Sequence, residues 1–221
     1  MFFIDPDGME AVNNEWIPDE NGNLHAEAGD NKETLATFLG VKSENITLTS
    51  NNGSNPEDIK EGDVVTLNNV YTESIKNSTS DLTLEVGLSG KSKTGAQPED
   101  NYNCWGAAIA GSQGNTIENG VGIIVGGTFD SILSSDYKET DASKSVFGKT
   151  VLRFADSNNE VQHGAVFYGN SKDGTTYVYS KNGWQAKPEV MKLSVLLETK
   201  ILNYGTVQGI NSNSSGYYQH K

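Results

Sequence analysis

The stretch "EVQHGAVFYGNSKDGTTYVYSKNG", residues 160–183, decides how the chain is read. Two runs of apolar and small residues flank "GNSKDG", a cluster of turn-forming residues. That is the pattern of a β-hairpin. A period of two puts Val161, His163, Ala165 and Phe167 on one face of the first strand. The face is apolar apart from one imidazole. If the turn is centred between Ser171 and Lys172, symmetric pairing sets Tyr168 against Thr175 and His163 against Ser180. Directly opposed residues share a face, so Ser180 becomes a hydroxyl able to orient the ring. A slip of two residues brings Asn182 there instead.

Working outward, "SVFGKTVLRFAD" (145–156) reads as a further strand, and "TVQGI" (206–210) and "GYYQH" (216–220) as short closing strands. "TFDSILSSDY" (128–137) places Phe129, Ile132 and Leu133 on one helical face. "PEVMKLSVLLETKILNYG" (188–205) starts with a proline and predicts a longer helix. "NCWGAAIAG" (103–111) predicts a helix of small residues. Its Cys104 is the only cysteine in the 221 residues. Asp100 or Asn103 can cap that helix, which leaves Cys104 in the first turn. Gly106, Ala107, Ala108 and Ala110 let the helix lie close on a sheet. A helix N-terminus and a nearby imidazole are two devices that lower a thiol pKa. His163 is therefore the expected base for Cys104; His25 and His220 lie elsewhere in the chain. Helices followed by antiparallel strands make an α+β pattern.

Upstream, residues 22–70 form a compact pattern. "GNLHAEAGDN" offers a short strand. "NKETLATFLGV" follows as a helix capped by Asn31 and ended by Gly40, with Leu35, Phe38 and Leu39 at helical spacing. "GSNPEDIKEGDVVTL" predicts a short helix near Pro56 and a strand from Val64 to Leu67. Residues 71–99 read as a linker, in which "DLTLEVGL" alternates like one strand. Residues 1–21 read as a turn-rich terminus and connector, and residues 100–221 as one domain.

Composition narrows the partners. A net charge of -13 repels phosphate backbones and anionic headgroups. Neither a nucleic acid nor a membrane surface is therefore expected. A lone cysteine and three scattered histidines make no zinc pattern. "GVGIIVGG" (120–127) lacks the lysine and spacing of a phosphate loop. No cofactor is implied. "MFFIDPDGME" carries no basic region of the kind that opens a secretory signal.

Three resemblances attach to these residues. "FIDPDGM" (3–9) resembles the DPxG-type end of the core in Rhs/YD-repeat proteins, after which a variable toxin follows. That implies a secreted effector delivered by a larger carrier into a target cell, into its periplasm, and a cognate immunity protein as partner. Gly29-Asp30, Thr34-Leu35-Ala36, Phe38-Leu39 and Ile59-x-x-Gly62-Asp63-Val64 resemble a LysM module, a small βααβ unit. Here Asn31, Lys32 and Glu33 intervene before Thr34-Leu35. The unit would bind N-acetyl sugars or act as a spacer. Cys104 at a helix start, "HGAVFYG" and "YVYSKNG" are similar to the NlpC-like branch of the papain-like superfamily. The family reads Asp-Cys-Ser/Gly where this chain has Asn103-Cys104-Trp105.

This last resemblance implies a papain-like helix packed on an antiparallel sheet. It implies Cys104 as nucleophile, His163 as base and Ser180 as orienter, with Asn182 in reserve. The Cys104 N–H is the default oxyanion donor, with Tyr102 or Gln97 adding a side chain. The implied activity is that of an antibacterial toxin, a cysteine hydrolase cutting amide bonds in peptidoglycan stem peptides. Two alternatives stay open. One is a cysteine protease, deamidase or acyltransferase acting on a protein or lipid of the target cell. The other is a non-catalytic wall-binding module whose thiol is structural.

Overall fold

The structure, a computed structural model, describes residues 16–19, 22–50, 59–66, 75–77, 82–89, 103–113, 123–183, 186, 188–198, 203–211 and 213–221. Among them are four α-helices and two sheets, an α+β arrangement. The DPxG-like segment, the helix expected near Pro56, and Gln97, Asp100 and Tyr102 lie outside the described residues.

The first sheet holds β1 (Ile17–Pro18), β2 (Asn23–His25), β3 (Ile46–Ser50), β4 (Val64–Thr66), β5 (Ile75–Asn77) and β6 (Leu82–Ser89). Its order is β1-β2-β4-β6-β3, with β5 also on β6. All pairs are antiparallel except β3 with β6. Two features depart from the sequence expectation. β3 follows the helix where no strand was expected, and β5 lies in the stretch read as a linker, while β6 forms where "DLTLEVGL" alternates and lies inside the sheet. Helix α1 (Lys32–Leu39) forms as its caps predict. Asn31 Oδ1 accepts from Thr34 N, Thr34 Oγ1 accepts from Asn31 N, and Gly40 closes the helix in the left-handed region at φ 69°. Leu35, Phe38 and Leu39 are buried, each stabilising the fold by about 1.5–3 kcal/mol.

Helices α2 (Cys104–Ser112) and α3 (Gly126–Asp136) lead into the second sheet. Its strands are β7 (Tyr137–Thr140), β8 (Thr150–Ala155), β9 (Val161–Asn170), β10 (Thr176–Lys181), β11 (Pro188–Lys192), β12 (Thr206–Val207) and β13 (Tyr217–His220). The order is β11-β10-β9-β8-β13-β7, with β12 also on β8. Pro188 opens a strand, and the helix expected within this stretch is described as α4 over Leu193–Glu198. An edge strand tolerates a proline because its outer N–H has no ladder partner to lose.

Both glycines of β9 are places where a helix lands. A Cβ on Gly164 would stand 2.8 Å from Phe129 Cζ on α3 and 3.2 Å from Ala108 Cβ on α2. A Cβ on Gly169 would stand 2.3 Å from the Phe38 ring on α1. The first unit thus docks on the second sheet. Phe147 N donates to Leu39 O at 2.9 Å, Tyr168 Oη donates to Gly22 O, and one apolar core runs from Trp16 and Leu35 through Ala108 to Tyr218. A second, smaller cluster of Leu152, Phe154, Ala165, Phe167, Val178 and Leu196 fills the other side of the sheet.

Arg153 on β8 is 1% exposed. Its Nε and Nη2 donate to the two carboxylate oxygens of Asp130 on α3, at 2.7 and 3.0 Å. Nη1 donates to Asn159 Oδ1, Gln208 O and Gly209 O, and Nη2 also to Asn159 O. These contacts use every guanidinium donor and tie α3, the β8–β9 turn and the segment after β12 to the sheet.

Candidate active site

Helix α2 starts where the sequence predicts, and Asn103 is its cap. The Asn103 Oδ1 accepts from Gly106 N at 3.0 Å and Ile124 N at 3.3 Å, while Nδ2 donates to Ile124 O at 2.6 Å. The cap therefore holds the helix start against the segment that leads into α3. Cys104, the first helical residue, is half-buried. Its environment differs from the expected one. Burial pushes the thiol pKa up, and this outweighs the backbone N–H groups of Gly164, Trp105 and Cys104 itself and the Lys181 ammonium, which pull it down. The sulfur thus rests as a neutral thiol among groups that would stabilise its anion.

The Gly164 N–H is placed by its strand. Arg153 pairs with Gly164, but Arg153 N donates to Gly216 O and Arg153 O accepts from Gln208 N. Both face away from β9. Arg153 and Gly164 therefore exchange no hydrogen bonds, and the Gly164 N–H points toward β10. The recorded β9–β10 register runs only as far as Tyr179↔Val166. The Gly164 N–H, just past that point, is one of the dipoles that pull the thiol pKa down.

His163 precedes Gly164 and is fully buried. Burial drives its pKa down to about 3, so the ring is neutral across the physiological range. One face stacks on Tyr204, centroids 3.9 Å apart and planes 9° apart; Phe154 meets it edge-on at 5.5 Å. Nε2 lies 2.7 Å from Ser180 Oγ, and Ser180 Oγ donates to Asn182 Oδ1 at 2.7 Å. A serine hydroxyl has one proton. Since that proton goes to Asn182, Ser180 must accept from His163, and Nε2 carries the hydrogen. Nδ1 is then left with its lone pair. It is buried and has no hydrogen-bond partner.

The register differs from the symmetric one. β10 starts with Thr176↔Asn170 and Tyr177↔Gly169, then slips to Val178↔Phe167 and Tyr179↔Val166. The slip restores the alternation, so Ser180 shares the face of His163 as a diagonal neighbour, not its direct partner. Asn182 is not an alternative to Ser180 but the next group in the same chain. A second irregularity, between Phe154 and Ala155, pairs Ala155 with Val161 and skips Gln162. Val161 therefore packs into the core on the helix side, away from His163, Ala165 and Phe167.

Cys104 starts a helix packed on the Val166 and Tyr168 face of the sheet, the His163 ring lies on the opposite face with Ala165 and Phe167, and no sulfur–imidazole hydrogen bond joins them. The charge of Cys104 also reaches Tyr204, whose pKa burial chiefly, and then Cys104, raises to about 12. Two residues here had no sequence signal. Lys181 is buried next to Ser180, and its Nζ donates to Ala186 O at 2.9 Å; alternation turns it toward the α2 side. Tyr204 arrives from a loop over forty residues beyond His163. His25 lies 3.6 Å from Asp19, and His220 packs against Tyr137, so neither belongs to the site. A groove of about 590 Å3 between α1 and the turn after β9, walled by Trp16, Thr34, Phe38, Asn170 and Lys172, includes none of the site's side chains. Among the described residues no group of three metal-ligating side chains occurs, and no helix is long and apolar enough to cross a membrane. No family model matches the chain, and neither the curated proteins nor the solved structures yield a match.

Proposed function

We propose that this chain is a papain-like, NlpC-like cysteine hydrolase that cleaves amide bonds through an acyl-enzyme. One observation carries the reading: a fully buried imidazole with an unprotonated, unpartnered Nδ1, next in sequence to Gly164, whose N–H lowers the Cys104 pKa. A buried acceptor without a donor destabilises a fold by about 1–3 kcal/mol. Such a group is retained where it has work to do.

Both partners rest uncharged, so the proton moves during attack and not before it. His163 Nδ1 takes the thiol proton as the sulfur bonds to the substrate carbonyl carbon. The Cys104 N–H faces the developing oxyanion at the helix N-terminus. The imidazolium then returns its Nδ1 proton to the leaving amine. Water, deprotonated by the same nitrogen, releases the acyl group and restores the thiol. Ser180 and Asn182 keep Nε2–H in place throughout. The proton transfer requires substrate binding to carry the Cys104 sulfur past the end of the β9–β10 ladder to Nδ1 on the far face of the sheet.

The substrate class we propose is the stem peptide of peptidoglycan, with delivery by an Rhs-type carrier and an immunity protein in the producing cell. The NlpC-like, LysM-like and DPxG-like residues support this. Incubating the chain with purified peptidoglycan and reading new amino termini by mass spectrometry tests it. Fragments that vanish with Cys104→Ala are expected. Cleavage of cytosolic proteins in place of wall would move the substrate to the target cell's interior. No cleavage of either, together with wall binding, would make the chain a non-catalytic module.

A further inference from the structure

The base at His163 depends on which way the Asn182 amide faces, and nothing within the β9–β10 hairpin decides that. Ser180 can donate to the amide oxygen or accept from the amide nitrogen. In the first arrangement His163 carries its proton on Nε2; in the second it must accept at Nε2 and carry the proton on Nδ1. The decision comes from β11. Ser180 pairs directly with Glu189, which puts the glutamate on the face that carries His163. Asn182 Nδ2 lies 3.4 Å from Glu189 Oε1 and 3.3 Å from Met191 Sδ. A carboxylate and a thioether are acceptors only. Together they select the amide nitrogen and turn Oδ1 toward Ser180.

We propose that Glu189 is a positioning residue that sets the tautomer of His163 through Asn182 and Ser180. The chain of donors runs from His163 Nε2–H to Ser180 Oγ, from Ser180 O–H to Asn182 Oδ1, and from Asn182 N–H to Glu189. Glu189 touches neither substrate nor imidazole. It acts through two intervening groups by excluding one orientation of an amide. The inference deepens the cysteine-hydrolase reading in naming what makes Nδ1 a base, but the tautomer itself exists whether or not the chain is an enzyme.

Glu189→Lys reverses the polarity of the last contact. A lysine donates only, so it draws Oδ1 away from Ser180 and leaves the amide nitrogen facing the hydroxyl. Nitrogen-15 NMR of the imidazole in the full chain reads the result directly. The wild type is expected as Nε2–H and Glu189→Lys as Nδ1–H, with amide hydrolysis reduced by at least about 1,000-fold, since a wrong imidazole tautomer removes the base. Glu189→Gln, which can still accept, should stay within about threefold of wild type and keep Nε2–H. Adding Asn182→Asp to Glu189→Lys restores an acceptor beside Ser180 and should return the ring to Nε2–H. Should Glu189→Lys fail to fold, Glu189→Ala is read the same way, with a mixed tautomer population expected. A folded Glu189→Lys or Glu189→Ala chain that keeps a single Nε2–H form overturns the proposal. A tautomer that switches while hydrolysis is unchanged upholds the role of Glu189 and instead removes Nδ1 from the mechanism.

Discussion

Arg153 on β8 and His163 on β9 sit one strand apart, and each is at most 1% exposed. They are satisfied in opposite ways. Arg153 spends every donor on Asp130, Asn159, Gln208 and Gly209. His163 has one nitrogen bonded and the other bare. Burying a charge is tolerable only where it is fully paired, and the arginine meets that condition by joining segments more than fifty residues apart. The imidazole avoids the charge instead, by losing its proton. A saturated group holds a fold together; a half-saturated one holds a reactive lone pair out of water. On the proposed reading the same contrast separates stability from activity, and it can be broken by substitution.

The largest effect is expected from His163→Leu, which should reduce amide hydrolysis by at least about 1,000-fold, the scale on which a general base and its nucleophile act together. Urea unfolding should show stability within about 1 kcal/mol of wild type, because the change also removes an unpartnered buried acceptor. Arg153→Leu should do the reverse. It strands Asp130 and four further acceptors and is expected to lower stability by about 3–5 kcal/mol, read as a shift of the urea midpoint. If the histidine variant unfolds and the arginine variant does not, the contrast is wrong.

A smaller effect sharpens it. The folded pKa of His163 is about 3, against 6.5 for the free group. Between those values the unfolded chain binds the proton and the folded one does not. Stability is therefore lost as pH falls through 6.5 toward 3, and the loss levels off below that. The slope from this one group approaches about 1.4 kcal/mol per pH unit. Carboxylates titrate nearby, so the measurement is the difference between wild type and His163→Leu at each pH. Parallel stability curves for the two would show that the imidazole is not held neutral.

Much of the local structure was legible in the chain. Asn31 and Gly40 bound α1, Asn103 caps α2, and the turn-formers between Asn170 and Thr176 fix a hairpin, because caps and turns are decided by residues within about four positions. The pairing of Cys104 with the His163 strand followed from small residues that let a helix approach a sheet. The register did not, because the slip between Tyr177 and Val178 changes no residue type. Nor did β3 or the strand at Pro188, since short strands take their place from the neighbours they pair with.

By itself, the amino-acid order determined that a lone thiol begins a helix and that an imidazole rides an apolar strand. Those are short-range consequences of capping and alternation. Only the tertiary structure decided the protonation of both groups. Burial raised the thiol pKa and lowered that of the imidazole, and a hydrogen-bond chain reaching β11 chose which ring nitrogen keeps its lone pair. Desolvation and hydrogen-bond direction depend on what surrounds a group in space, and that is set by residues far away along the chain.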